Sequence, residues 1–482
     1  MGLRTVEQYK ASLRDGRVVY FRGDRVEDVT KHPVIGVAVN HAAIDYEIAH
    51  QPEHRALAVY EDPRTGQEYS RYFKIPANAE DLQKRSELIE TSTRLGGTLV
   101  VLIKEIGTDC LFALDVIAKA MEEKFGTGYL PRVRAIHEHC RNNDLAMAVA
   151  QTDVKGDRSR GPSEQAHPDY YVRVVDRKPG GIVVRGAKVH TSVTPNANEL
   201  FVIPTRNLTE ADTDYAVAFC IPLNTPGLKQ IASPYGSGHT SAFTHPISSR
   251  HKMMETLTIF DDVFVPKERV FMDGEWQFAG PLARTFVEFH RFTAISYKLP
   301  LLDLLVGSAL LIAEQNGIER AGHVREKLTW LISYAETVRM LTKMAAIHCT
   351  IEDGVAIPNT AAVNIAKLHF ASNYHQALMH LQDLTGGLLV TGPGEEDLKN
   401  PETGKYINHY LGGAGVSGEQ RLRTINLISD LTTGEFGGYQ AALAIHAEGS
   451  LEAEKLTILR EYDRERAKSY ARWMAGAGSN AG

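Results

Sequence analysis

At 482 residues, 43% hydrophobic and 23% charged, the chain has the composition of an ordinary soluble globular protein with two or three domains. The formal net charge of −6, without blocks of like charge, excludes an electrostatic case for nucleic acid or an acidic membrane surface. Four widely spaced cysteines, Cys110, Cys140, Cys220 and Cys349, with no C-x-x-C, make a disulfide framework unexpected and point to a reducing cytoplasm.

The opening MGLRTVEQYKASLRDG has no apolar core and reads as an amphipathic helix, not a signal peptide. Residues 1–145 then show apolar positions at three- and four-residue spacing, the pattern of a helical domain, with Gly126 as a stop signal. Between 146 and 280 the texture changes to short β-branched runs (YYVRVV, GGIVVRGAKVHTSV, LTIFDDVFVP) separated by turn residues, which predicts an antiparallel β domain. From 281 to 482 helical periodicity returns in segments at 284–350, 360–385 and 418–447 and in a charged last helix. The longest apolar run, LPLLDLLVGSALLIA, is broken by Asp303 and is too short to span a bilayer. The predicted class is therefore α+β, helical then β then helical.

Several stretches have the residue types for a site. AVAQTDVKGDRSRGPSEQ (148–165) lies at the junction of helical and β parts, and its donors and cations suit a diphosphate or the polar edge of a heterocycle; a solvated hairpin loop has the same composition. GAKVHTSVTPNANELFVIPTR (186–206) offers hydroxyls and amides, though turn chemistry explains its Pro and Asn equally. DLTGGLLVTGP (383–393) puts two glycines after a helix, as a cap or as a backbone approach to phosphate, and is not a Rossmann fingerprint. HEHC (137–140) has poor geometry for one shared ion if helical, and no metal site is expected. EFHRFTAISYK (288–298), if helical, lines up His290, Thr293, Ala294 and Tyr297 on one face, with Pro300 offering a kink just beyond. Such a histidine suits proton transfer, and equally a core position satisfied by a carbonyl.

Taken together, TDVKGDRS, HTSVTPNANELFVIPTR, TIFDDVFVP, FHRF…K, LTGGL and DLTTGEFGGY resemble the 4-hydroxyphenylacetate 3-monooxygenase and 4-hydroxybutyryl-CoA dehydratase superfamily, in order and over nearly the whole chain. The resemblance implies an acyl-CoA dehydrogenase-like fold, bound FAD and a homotetramer. It implies flavin contacts from Gln151, Thr152, Asp153, Lys155 and Arg158, then from Thr191 and Thr194, with Thr385, Gly386 and Gly387 reaching the cofactor across a subunit boundary.

The two branches of the superfamily differ in their chemical apparatus, and this chain matches neither fully. The dehydratase branch holds a [4Fe-4S] cluster through three cysteines and a histidine; those positions here read Val101, Glu105, His290 and Tyr297, so no cluster is expected. Glu255, matching an active-site glutamate, and Lys298 are retained. The monooxygenase branch holds a phenolate with Arg, Tyr and His; the corresponding places carry Lys104 and Glu105, Cys110 and Val149. His290 is thus expected to transfer protons facing the flavin, with Glu105 beside it.

The first functional expectation is the oxygenase component of a two-component monooxygenase, taking FADH2 from a separate reductase to hydroxylate a small phenolic substrate. The second is a cluster-free isomerase or dehydratase-like enzyme on an acyl thioester, and the third a non-catalytic flavin-binding protein.

Overall fold

The computed structural model describes residues 2–235 and 241–477. Two sheets occupy the middle of the fold. The larger has the strand order Asp24–Arg25, Val19–Phe21, Leu228–Ala232, Glu255–Pro266, Gly181–Ser192, Arg173–Lys178. The smaller runs Val270–Asp273, Val217–Pro222, Glu199–Val202, Met147–Ala150.

Two features depart from the sequence expectation. The β region is not wholly antiparallel: Val19–Phe21 pairs parallel with Leu228–Ala232, and Met147–Ala150 with Glu199–Val202. The N-terminal part is not wholly helical either, because VVYFRGDRV folds as a hairpin that extends the larger sheet. Its turn residues Arg22 and Gly23 sit at φ 51° and 92°, as a tight two-residue hairpin loop requires.

Around the sheets lie the helices. Glu105–Phe125 ends at Gly126, whose φ of 66° supplies the left-handed stop. The 40-residue helix Trp276–Gln315 continues through Pro281 and Pro300 without ending at either. It is apolar and long enough to cross a membrane by composition, yet 61% of its most apolar window is buried inside the fold. It packs against Ala79–Leu95, Glu105–Phe125, Gly322–Ile347 and Thr360–Thr385, as the central helix of the core. The helical segments expected at 284–350 and 418–447 are each two helices, the first divided after Gln315 and the second after Thr432.

Candidate active site

Where the long helix meets both sheets and the Glu435–Glu461 region, a cavity of about 1800 Å³ opens. Small-molecule sites commonly measure about 300–1,000 Å³, so there is room for a cofactor and a substrate together. Three groups of ionisable side chains face it.

The first contains His290, only 9% exposed and stacked on Phe286, which also lines the cavity. Its Nδ1 lies 3.2 Å from Oδ2 of Asp109. A carboxylate acceptor at Nδ1 fixes the neutral ring as the Nδ1–H tautomer and leaves Nε2 as a base. Asp109 is itself held by Arg85 at 2.7 Å and by the Thr293 hydroxyl at 3.0 Å. Arg85 also donates to the Glu105 carbonyl, Thr108 and the Tyr72 carbonyl, so both of its terminal nitrogens are engaged.

Glu105 itself is elsewhere, and the expected His290–Glu105 pair is not formed. Its carboxyl is fully buried against Asp45 and the Lys104 amide, outside the cavity lining. One helical turn separates Glu105 from Asp109, and the turn decides which acid reaches the histidine. Burial pushes the Glu105 carboxyl up; Asp45 is raised well above its ordinary value by burial and then by the neighbouring Glu105 charge.

The second group centres on Glu255. Tyr439 donates to it at 2.7 Å and Ser192 at 3.0 Å, while burial pushes its carboxyl up to about 7. The Tyr439 ring stacks on Tyr235, centroids 4.4 Å apart.

In the third group, Lys298 is 4% exposed and contacts Glu448 at 3.1 Å. Desolvation lowers Lys298 well below, and raises Glu448 well above, their ordinary values. Glu448 stands at φ 58°, a left-handed conformation that costs about 1–3 kcal/mol and is typical of functional positions. Neither Asp109, Tyr439 nor Glu448 was singled out from sequence. Tyr297 lines the same cavity, its ring 4.3 Å from the Lys298 ammonium.

Among the residues expected to contact flavin, Gln151, Thr152, Asp153, Lys155 and Arg158 all line the cavity. Asp153, however, is committed to a 2.8 Å ion pair with buried Lys188, which also binds the Gln151 carbonyl, so this acid anchors the loop. Gly156 gives room to Tyr170, which a Cβ would meet at 2.4 Å. Thr191 and Thr194 do not line the cavity, and Thr194 bonds Thr256 at 2.7 Å. The cause is a bulge: Thr256 pairs with Thr191 and Thr258 with Lys188, and His190 in between takes φ 53°. That extra residue turns His190 and Ser192 toward the cavity instead. Thr385 bonds back to Leu381, and Gly386 and Gly387 are exposed outside this chain's cavity.

The donor set suits FAD. Lys155, Arg158 and Arg206 line one rim with no carboxylate in ion-pair range among the described residues, a ready site for a diphosphate. It does not suit a thiolate-held cluster: Val101 is apolar, and Glu105 faces Asp45. His137 of the HEHC stretch is bonded to the Phe73 carbonyl at 2.9 Å.

Comparison with known proteins gives the context. The 4-hydroxyphenylacetate 3-hydroxylase N-terminal family matches residues 5–272, and its C-terminal counterpart matches residues 279–476. The chain is 30% identical to 4-hydroxybutyryl-CoA dehydratase/vinylacetyl-CoA-Δ-isomerase of Clostridium aminobutyricum, over 98% of this chain and 99% of that protein. It is 31% identical to the 4-hydroxyphenylacetate 3-monooxygenase oxygenase component of Thermus thermophilus, covering 93% and 92%. A solved oxygenase component of 4-hydroxyphenylacetate 3-monooxygenase, complexed with FAD and 4-hydroxyphenylacetate, superposes with a TM-score of 0.90 at 29% identity over 98% of both chains.

Proposed function

Because the chain belongs to the 4-hydroxyphenylacetate 3-hydroxylase family of flavin enzymes, with its acyl-CoA dehydrogenase-like fold, we propose that it is an FAD-dependent enzyme moving protons on an unsaturated acyl thioester. One observation carries this reading: three proton-transfer pairs, His290–Asp109, Glu255–Tyr439 and Lys298–Glu448, face a single cavity. The order of the two leading sequence expectations is thereby reversed. Hydroxylation needs a dry pocket and a few donors, whereas a double-bond shift needs a base and an acid at different carbons.

In the proposed reaction, His290 Nε2 removes a proton from the carbon next to the thioester carbonyl. The C–H electron pair becomes the new C=C, and the former C=C takes a proton at its far carbon from Glu255, which is half protonated near neutral pH. Asp109 orients the imidazole and stabilises its charged form. Tyr439 and Ser192 hold the Glu255 carboxyl and supply donors to its anion. Lys155, Arg158, Gln151 and Thr152 would hold FAD, which supplies reversible electron transfer when bound. Thr385, Gly386 and Gly387 would serve a neighbouring subunit of a homotetramer.

A second reading, the oxygenase component of a two-component monooxygenase with a separate flavin reductase, is supported by the Thermus relative. Against it stands the lining: of the places where that branch puts its phenolate ligands, Lys104, Glu105 and Cys110 are buried outside the cavity, and Val149, which does line it, has no polar side-chain atom. Paired assays separate the two. The FAD-loaded protein should interconvert but-3-enoyl and but-2-enoyl thioesters without oxygen. Hydroxylation of 4-hydroxyphenylacetate with reduced FAD and oxygen, and no interconversion, would support the second reading instead.

A further inference from the structure

Beside the third pair the charges do not balance. Three cations, Arg291, Lys298 and Lys367, stand with two carboxylates, Glu448 and Glu454. Lys298 takes Glu448, and Lys367 lies within 3.7 Å of both acids. The Lys298–Glu448 contact is a hydrogen bond, whereas both buried Glu454 oxygens lack a hydrogen-bond partner among the described residues, and Oε1 faces Lys367 at 3.6 Å.

Arg291 is left over. It is 5% exposed, lines the cavity, and has no carboxylate within ion-pair distance among the described residues. Its bonds are neutral: Nε donates to the Glu448 carbonyl at 2.9 Å and Nη1 to Asn364 at 2.5 Å, while Nη2 has no partner among the described residues. Glu288, one turn earlier, is pushed up to about 7 by burial and does not come within ion-pair range of Arg291. Gly449, at φ 111°, leaves the space that Nη2 occupies, since a Cβ there would lie 2.4 Å from it. Glu454, Glu448 and Glu288 act on Arg291 only from beyond ion-pair distance. A buried guanidinium with an unbonded nitrogen is costly, and Arg291 and Lys298 converge on one residue, the first on the Glu448 carbonyl and the second on its carboxylate.

The geometry points to an anion subsite here: Arg291 Nη2, with Lys298 beside it, receives a carboxylate borne by the substrate, separate from the basic rim at Lys155, Arg158 and Arg206. A free carboxylic acid and an acyl thioester with a second, terminal carboxylate both supply that chemistry. The subsite is independent of whether the enzyme shifts protons or hydroxylates, since it concerns binding alone.

The test uses FAD-loaded, oxidised enzyme and matched probes: acetate with acetamide, trans-but-2-enoate with its amide, and 4-hydroxyphenylacetate with its amide, titrated by calorimetry. At least one acid should bind about tenfold or more tightly than its amide, the margin of a charge-assisted hydrogen bond. R291Q should erase that margin and R291K retain part of it. Equal binding of acids and amides, no binding by any acid, or an unchanged margin in R291Q would overturn the proposal. A margin seen only in FAD-free protein would assign the cation to the flavin and overturn it equally. The acid–amide comparison on the unmodified enzyme stands even where R291Q does not fold.

Discussion

The two sides of His290 on the long helix are built differently. Toward Glu105–Phe125, its partner Asp109 is bonded to Arg85 and Thr293, and Arg85 to three further oxygens. Toward the turn after His446, Arg291 has no carboxylate within ion-pair distance among the described residues, Glu448 is in a left-handed conformation, and Lys298 is desolvated. The first side is finished without a ligand, as a preorganised base must be. The second is unfinished, as a binding surface must be.

Variants can break this contrast. The largest expected effect is H290A, which removes the base and should lower kcat for isomerisation about 10³-fold while FAD still binds. D109N should follow at about 10²-fold, because an amide no longer favours the charged imidazole, with KM little changed. Steady-state kinetics checks both.

The pH dependence sharpens the contrast from the opposite wall. With Glu255 donating its proton, kcat should fall as pH rises through about 7. Stability moves likewise. The folded carboxyl titrates near 7 against an ordinary 4.5, so between those values the native state binds more protons and unfolding becomes easier as pH rises. E255Q should therefore be more stable than the native protein at pH 8 by up to about 3 kcal/mol, less where cavity water screens the charge, and no more stable at pH 4. Chemical denaturation at the two pH values measures the difference.

The smallest effect belongs to E105Q. Its amide can still accept from the Lys104 N–H and donate to Asp45, so turnover should stay within about twofold and stability should change by no more than ~1 kcal/mol. A loss as large as that of D109N would mean that Glu105, and not Asp109, serves the histidine.

How much of this was legible in the sequence depends on how local each signal is. The helical–β–helical order follows from periodicity, and the 360–385 helix agrees with its sequence limits because Asn359 caps one end and Gly386 the other. The Val19–Phe21 strand was missed although VVYFRGDRV has a hairpin's β-branched residues and turn, since helical spacing on both sides dominated the reading. His290 and the 151–158 loop could be found from their motifs. Asp109, within the quoted GTDC, could not be chosen over Glu105, because both face inward on one helix and only its docking angle selects the partner. The choice of Thr191 over His190 and Ser192 failed for a related reason, since a bulge shifts the alternation by one residue and leaves no clear mark in composition. Glu448 had a weak signal: an isolated acid before a glycine, between two helices.

The account's central claim is that the cavity moves protons on an acyl chain. The most direct measurement is anaerobic incubation of the FAD-loaded protein with a but-3-enoyl thioester in D2O, followed by proton NMR. Deuterium should enter at the far end of the chain as the but-2-enoyl product forms, and H290A should stop that incorporation. An unchanged, undeuterated thioester, together with oxygen-dependent hydroxylation of a phenol by the same preparation, would contradict it.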